Sequence, residues 1–254
     1  MKTRIEKELN EIEKNNDVKV IYACESGSRA WGFASEDSDY DVRFIYVHPR
    51  DWYLTIADKR NVIEIPFDGV LDINGWEINK SLKLLRKSNS PLLEWLSSPI
   101  KYRNVRPVMN AFVELSTEAF LPESSCHHYL SMAKNIISNF DDREVVKIKS
   151  YLYSLRTILC CKWIIKRLIQ PPMKIQELLN EYLPAGELNE LVEKLIYEKS
   201  RGTESAEIKR SLKFEEYLKE QIDFIVSNIP KNPKKIPIEK FDSVFQEILL
   251  ESNS

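Results

Sequence analysis

The stretch GSRAWGFASEDSDYD (Gly27–Asp41) combines glycine, serine and closely spaced acidic residues just before a strand-like segment. The whole chain has only six glycines, and two of them, Gly27 and Gly32, lie here. In a glycine-poor chain, glycine indicates a position where the backbone needs freedom or where another group approaches closely. An ordinary surface loop can have this composition, whereas a site for metal and phosphate requires it. These are the two alternatives for the stretch.

The segments on either side of this stretch read as strands, VKVIYAC (Val18–Cys24) before it and DVRFIYV (Asp41–Val47) after it. Side chains alternate along a strand, so Asp39, Asp41 and Arg43 are expected on one face. Two carboxylates on one face repel each other, and a divalent cation removes that cost. Because carboxylate oxygens suit Mg²⁺, which also keeps substrate phosphates as ligands, the aspartates predict a magnesium site.

Gly27 and Ser28 come at the end of the first of these strands. A glycine lets phosphate approach the backbone N–H groups, and the serine hydroxyl adds a donor. Because Arg29 adjoins this turn, binding of the triphosphate is favoured over pairing with the surrounding acids. For Arg43, binding of triphosphate and pairing with the surrounding acids remain equal alternatives.

The remainder of the chain predicts an α+β fold, with a small mixed sheet and helices followed by a helical part. A charged helix precedes the first strand, at residues 2–15, and further strand-like runs follow the second, at 61–67 and 69–73. The segment after Gly75 reads as a helix that already includes Trp76, and another helix is expected from Ser90. Later helices are predicted near 125–140, 143–169, 175–182, 186–199, 204–228 and 238–251. We expect two domains, residues 1–110 and 111–254.

Composition limits the class of protein. The chain has 254 residues, 43% of them hydrophobic and 30% charged, which is typical of an ordinary globular protein. No apolar run is long enough for a membrane span, and the charged N-terminus lacks the core of a secretory signal. The four cysteines lack the spacing of a zinc site, and we expect reduced, mostly buried thiols in a cytoplasmic protein. The net charge of −2 gives no global attraction for nucleic acid, which leaves two basic segments, near 143–167 and 231–240, as candidates.

The chain resembles a known superfamily at these residues. Gly27-Ser28 followed by Asp39-Tyr40-Asp41 is similar to the motif of polymerase-beta superfamily nucleotidyltransferases. Blocks such as LDINGWEINKSLKLL, SNSPLLEWLSSPIKY and PPMKIQELL resemble a bacterial and phage family of predicted nucleotidyltransferases linked to RNA repair. Together the similar blocks span roughly residues 20–182.

The resemblance implies a fold, an activity and a set of site residues. It implies a polymerase-beta-like catalytic domain that transfers NMP from an NTP, such as ATP, to an acceptor hydroxyl and releases pyrophosphate. It implies two Mg²⁺ ions, with Mn²⁺ as an alternative, held by Asp39, Asp41 and a third carboxylate. Two metals about 3.5–4 Å apart steady both the attacking and the leaving oxygen of such a displacement.

The third carboxylate has two candidates, Glu64 and Asp72, because both lie between apolar residues of strand-like runs. Alternation alone does not choose between them. Asp72 is favoured because its side chain is shorter, because Gly75 and a helix follow it as at a strand end, and because it lies in a block that resembles the family.

Three further nucleotide-binding residues are expected outside the motif: Lys80, Lys149 and Tyr151. Lys80 falls on the helix after Asp72, where a solvated helix face is the alternative. Lys149 and Tyr151 lie in helical blocks that resemble the family, where a solvated lysine and a buried tyrosine explain them nearly as well. Trp31 is expected to cover the site or to stack on a base.

Three functions are compatible with these residues. The first is a Mg²⁺-dependent nucleotidyltransferase with an RNA end as its leading acceptor. The second keeps the chemistry but transfers to a protein or a small-molecule hydroxyl. The third is a nucleotide-binding subunit without turnover, against which the complete set of Gly27, Ser28 and three aspartates argues. The slightly negative net charge of the chain argues against RNA as the acceptor, because RNA binding normally requires a basic surface.

Overall fold

The structure of the chain is a computed structural model that describes residues 1–140, 144–202 and 205–252. Its strands are β1 (Lys19–Glu25), β2 (Tyr40–Val47), β3 (Val62–Glu64), β4 (Leu71–Glu77), β5 (Lys101–Asn104), β6 (Val145–Lys147) and β7 (Glu207–Lys209). Its helices are α1 (Lys2–Asn16), α2 (Gly27–Trp31), α3 (Ile78–Leu85), α4 (Ser90–Ser97), α5 (Val108–Glu118), α6 (Pro122–Ser138), α7 (Ile148–Arg167), α8 (Ile175–Tyr182), α9 (Glu187–Arg201), α10 (Leu212–Ser227) and α11 (Ile238–Ser252). A 3₁₀ turn spans Arg50–Tyr53.

A mixed five-stranded sheet organises the first half of the chain, in the order β3-β4-β2-β1-β5. β2 pairs antiparallel with β1 but parallel with β4, and the two outer strands pair antiparallel with their neighbours. The predicted α+β class, with a small mixed sheet and many helices, is confirmed. The parallel pairing of β2 and β4 matters most for function, because it brings the beginnings of these two strands side by side.

One face of the sheet packs against α1. Ile5, Leu9 and Ile12 of the helix are buried, and they form one hydrophobic cluster with alternate residues of β2 and β4, among them Phe44 and Ile73. Because side chains alternate along a strand, Asp41, Arg43 and Asp72 point to the opposite face. Further along β4 that face is covered, since Trp76 stacks on Trp95 of α4 with ring centroids 3.9 Å apart.

The strand β4 is longer than the sequence predicted. Gly75 and Trp76 were expected to end the strand and begin a helix, but β4 continues to Glu77. A side chain at Gly75 would lie 2.2 Å from the ring of Phe44, so this glycine makes room for an aromatic ring. Asp72 was expected to lie near the end of its strand. It is instead the second residue of that strand.

The later helices agree with the predicted pattern, and short strands interrupt it. α6 begins at Pro122, α8 spans the residues predicted, and α7 is the long amphipathic helix. The sequence missed β6 and β7, which pair antiparallel as a two-stranded ribbon, and β5, which had been assigned to a helix. Arg143 and Glu204, near the expected starts of two helices, lie outside the described residues.

The chain divides into two compact units. The first, called here the sheet unit, comprises Met1–Ala30, Asp39–Phe120 and Lys234–Ser254, so that α11 belongs with the sheet. The second, the helical unit, comprises Trp31–Ser38 and Leu121–Pro233. The division at residue 110 stays a prediction about domains, whereas these units are bounded at other residues.

The segment Trp31–Ser38 packs within the helical unit. The Trp31 ring lies edge-on to Tyr153 with centroids 4.8 Å apart, and the guanidinium of Arg156 lies 4.3 Å from the Trp31 ring centroid. Lys199, only 1% exposed, donates a hydrogen bond from Nζ to Ser35 Oγ at 2.9 Å. The loop between the two halves of the sequence motif thus belongs to the helical unit and is anchored there by buried Trp31, Phe33 and Ser35.

Two expectations from composition can be compared with the structure. All four cysteines are buried and carry free thiols. Within the described ranges of the chain, no helix has both the length and the apolar character needed to cross a bilayer.

Candidate functional site

The parallel pair of β2 and β4 places two carboxylates next to each other. Asp41 and Asp72 are register partners, on strands that lie about 4.8 Å apart. Both side chains point away from the α1 core, and they are 30% and 43% exposed. Residues 31 positions apart in the chain thus form one accessible acidic pair where β2 and β4 begin.

Arg43 holds this acidic pair together. Its Nη2 donates to Asp41 Oδ1 at 3.0 Å and to Asp72 Oδ2 at 2.7 Å, while Nη1 donates to the backbone carbonyl of Asp72 at 2.9 Å. The two carboxylate oxygens are therefore within about 6 Å of each other, because neither is further than 3.0 Å from the same nitrogen. Of the two alternatives for Arg43, the structure contains the pairing with acids.

Gly27 is required by the acidic pair. A Cβ atom at this position would lie 2.0 Å from Asp41 Oδ2, and the residue has a φ of +61°, which favours glycine. The sequence had explained this glycine by the approach of phosphate. In the structure the carboxylate of Asp41 approaches it instead, and the predicted phosphate contact stays a prediction.

Glu25 supports Asp41 from the end of β1. It is fully buried, its Oε1 accepts the backbone N–H of Asp41 at 2.9 Å, and the Tyr102 hydroxyl donates to its Oε2. Burial raises the pKa of the Glu25 carboxyl above its ordinary value, although these two hydrogen bonds oppose the rise. No role was assigned to Glu25 from the sequence alone. Its position as the last residue of an apolar strand was the available signal.

The other motif residues lie around this pair. Ser28 is buried in the first turn of α2, and the Arg29 guanidinium stacks 3.8 Å from the Tyr40 ring centroid. Arg29 Nε also donates to the backbone carbonyl of Asp39 at 3.1 Å. The Asp39 side chain is exposed, one residue before β2 begins. Of these residues, Gly27 lies directly against Asp41, and Arg29 contacts the two residues that precede Asp41.

Asn74, which sequence reasoning missed, adds an oxygen to this face. It is the register partner of Arg43 and follows Asp72 by two residues, so it shares the face of the aspartate. Its Oδ1 atom is buried and accepts no hydrogen bond from any described residue. A buried amide oxygen without a donor is costly, which marks this atom as an available ligand.

Glu64 lies one strand further out than Asp72. It pairs in register with Asn74 on the edge strand β3 and forms an ion pair with Arg60 at 2.8 Å. Asp72, in contrast, adjoins Asp41 directly. This placement favours Asp72 as the third carboxylate.

Lys80 is not brought to the acidic pair. It lies in the first turn of α3, and its Nζ donates to Asn61 Oδ1 at 3.5 Å, beyond the end of β4. Glu77 lies five positions after Asp72 on an extended strand, about 17 Å along the chain. Its predicted role in nucleotide binding stays a prediction without support from this geometry.

Lys149 and Tyr151 belong to the helical unit. Tyr151 is fully buried, donates from its hydroxyl to Glu215 Oε1 at 2.6 Å and accepts the backbone N–H of Ser211 at 3.0 Å. Lys149 lies half-buried with Nζ 5.4 Å from the Tyr153 ring centroid. For Tyr151 these contacts agree with the alternative of a core residue. Trp31 is likewise packed inside its unit.

The donor set around Asp41 suits a divalent cation only in part. Asp41, Asp72 and Asn74 offer oxygen atoms on one face, and oxygen is the ligand that Mg²⁺ prefers. Across the described ranges, no three acidic, histidine or cysteine side chains are grouped closely enough to hold an ion. The Arg43 guanidinium instead supplies the positive charge between the two aspartates.

A family model, a relative and a solved structure are similar to this chain. A family model described as "RNA repair pathway DNA polymerase beta family" matches residues 1–247. The chain is 50% identical over 204 residues to the Bacillus subtilis (strain 168) protein named "Uncharacterized protein YcgL", covering 80% of this chain and 78% of that protein. A solved nucleotidyltransferase-like protein from Exiguobacterium sibiricum 255-15 is similar over 98% of this chain and 81% of its own, at 10% identity and a TM-score of 0.31. A structural likeness that weak carries no argument.

Proposed function

The chain belongs to the RNA repair pathway DNA polymerase beta family, and from that premise we propose that it is a Mg²⁺-dependent nucleotidyltransferase with an RNA end as acceptor. Family membership confirms the resemblance drawn from the sequence. It also indicates, at a coarser level, a polymerase-beta-like nucleotidyltransferase that acts in RNA repair. The metal, the reaction and the acceptor are the parts that we propose.

One observation carries the proposal, the adjacency of Asp41 and Asp72 on two parallel strands. Keeping two carboxylates side by side is unfavourable unless a cation compensates them. Two further residues support this arrangement. Gly27 leaves space for the Asp41 carboxylate, and Glu25 accepts a hydrogen bond from the Asp41 backbone N–H. An ordinary surface loop would need none of them.

Asp41 and Asp72 would hold the metal, with Asp39 as the remaining acid of the motif and Asn74 as a neutral oxygen beside them. When bound, Mg²⁺ offsets the negative charge that develops on the phosphoryl oxygens. Arg43 already compensates the same carboxylates, so it competes with the ion for them. Once displaced, its guanidinium is available to the triphosphate.

The remaining residues act on the substrates. Ser28 and Arg29 bind the outgoing phosphates, and Asp72 accepts a hydrogen bond from the acceptor hydroxyl and so orients it. The hydroxyl oxygen forms a bond to the α-phosphorus while the bond to the bridging oxygen of the β-phosphate breaks. Pyrophosphate leaves with that oxygen, and the hydroxyl proton passes to Asp72 or to water.

Incubation with each α-³²P-labelled NTP, Mg²⁺ or Mn²⁺, and a panel of RNA ends, proteins and small hydroxyl compounds tests the proposal. We expect label on RNA, and no transfer by Asp41→Asn. Asp51→Asn is the matched control, because Asp51 is an exposed aspartate of the same unit outside the site. Label on a protein or a small molecule would support the second function instead. NTP binding without transfer to any acceptor would support a subunit without turnover.

A further inference from the structure

A groove lies between α3 and α11 in the sheet unit, away from the acidic pair. It encloses a cavity of about 520 Å³. That volume is within the range of small-molecule and cofactor sites. Because α3 begins where β4 ends, the groove lies at the other end of β4 from Asp72.

The rim of this groove is strongly basic. Lys83, Arg86 and Lys87 line it from the end of α3 and the residues after it, and Lys235 lines it from the segment before α11. Asp242 is the one acidic residue among the lining residues. Within the described part of the chain, none of the four cations forms an ion pair. Four positive charges against one acidic residue at one cavity are a local excess in a chain whose net charge is −2.

The floor of the groove is apolar. Leu82 and Phe241 are buried beneath it, and Phe245 is half-buried, with its ring edge-on to Tyr53 at 5.3 Å. Ile238 contributes an apolar side chain that is 44% exposed. Cations around an apolar and aromatic floor suit a ligand that has both phosphates and bases, as grooves for single-stranded nucleic acid do.

We propose that this groove binds a single strand of RNA, with phosphates on the basic rim and a base on the apolar floor. The proposal rests on the proposed function, since it locates where an RNA acceptor is held outside the reacting centre. A strand fits better than a mononucleotide for two reasons. The cations are distributed over two separate elements, and about 17 Å of strand β4 separates Asp72 from the start of α3, so only a ligand of several nucleotides extends from the groove to Asp72.

Fluorescence anisotropy with a labelled single-stranded RNA of about 12 nucleotides, without NTP or metal, tests the groove. The double variant Lys83→Ala, Arg86→Ala is compared with Lys2→Ala, Lys14→Ala, which changes the charge equally on exposed positions of α1. Removing two phosphate contacts should weaken binding at least tenfold. It should also make the slope of log K against log salt less steep by about 1.4, because each contact on a single strand contributes about 0.7.

A third variant, Ile238→Ser, tests the floor separately. It removes an exposed apolar contact without changing charge, so affinity should fall while the salt slope stays that of wild type. Because the Ile238 side chain is exposed, its substitution should not prevent folding. Circular dichroism of each variant checks that the fold is retained. Wild-type affinity in this variant would overturn the role of the floor.

Several outcomes would overturn the proposal. One is equal loss of affinity in the α1 control, which would mean that overall charge alone binds RNA. Others are unchanged binding in the rim variant, competition by a mononucleotide as effective as by the strand, and displacement by an acidic peptide of equal charge. A failure of nucleotidyl transfer would contradict the proposed function but not the RNA-binding groove, because RNA binding is measured in the absence of NTP and metal.

Discussion

Substitution of Gly27 by alanine tests the acidic pair most directly. The new Cβ atom would lie 2.0 Å from Asp41 Oδ2, so the carboxylate must move by more than about 1 Å to reach an ordinary contact distance. The same movement separates Asp41 from the Arg43 guanidinium. We therefore expect the substitution to disrupt the site while the sheet beneath it persists.

The magnitudes follow from this geometry. A non-glycine residue in the left-handed region costs about 1–2 kcal/mol. In a chain of this size, each 1 kcal/mol lowers the Tm by about 2–4 °C. A misplacement of about 1 Å in a catalytic group costs about 100-fold in rate, so we expect a loss of that size or greater.

Gly32→Ala is the matched control. Gly32 also has a positive φ, +89°, but a Cβ atom there would meet no other atom within 4 Å. The two variants thus share the backbone strain and differ in the displacement of Asp41. Thermal unfolding, Mn²⁺ binding followed by electron paramagnetic resonance, and pyrophosphate release should be measured on both.

Both variants should lose the stability that backbone strain costs, Gly27→Ala should lose more because its Asp41–Arg43 contact is also broken, and only Gly27→Ala should lose Mn²⁺ affinity and turnover. If Gly27→Ala bound Mn²⁺ as tightly as wild type, Asp41 would not be a metal ligand. If Gly32→Ala lost as much activity as Gly27→Ala, strain in the motif would explain the loss and the steric argument would be refuted.

Four further outcomes are expected. Asp72→Asn should bind NTP but lose most transfer, while Glu64→Gln stays near wild type in the same rate assay; the opposite result would place the third carboxylate on β3. Calorimetry should show that EDTA strongly weakens NTP binding, and equal affinity without metal would argue against the site. Because burial raises the pKa of Glu25 above its usual 4.5, the stability that this group contributes is present below that pH and is lost as pH rises through the folded-state pKa. The difference in unfolding free energy between wild type and Glu25→Gln should therefore shrink as pH rises above 4.5, and a constant difference would contradict this. Tyr151→Phe should lower the free energy of unfolding in urea by about 1–3 kcal/mol, since it leaves buried Glu215 without its hydroxyl donor; wild-type stability would show that this bond contributes little.

The sequence was most informative where local pattern and tertiary structure agree. The apolar runs of β1 and β2 predicted both strands, and alternation put Asp41 and Arg43 on one face, away from the core. The α+β class followed from the same pattern. Asp72 was selected partly for a wrong reason, its supposed place at a strand end, although the structure puts it beside Asp41.

The features that were missed depend on distant parts of the chain. Gly75 was interpreted as the end of a strand. Nothing in the neighbouring sequence shows that the Phe44 ring occupies the space where a side chain at position 75 would lie. β6 and β7 have three residues each, too few for a periodic signal, and each forms only through its pairing with the other. Glu25 ends an apolar strand, but its hydrogen-bond donor Tyr102 lies 77 residues later, so this contact could not be read from its neighbours.

The packing of Trp31–Ser38 inside the helical unit limits how this protein can be divided. A fragment that ended near residue 120 would retain both ends of the acidic motif but would leave Trp31 without Tyr153 and Ser35 without Lys199. It would also lack α11, whose residues belong to the sheet unit. The acidic motif therefore depends on residues of both halves of the chain. Recombination that exchanged the helical half would have to supply matching partners for this loop, so we expect the two halves to be inherited together.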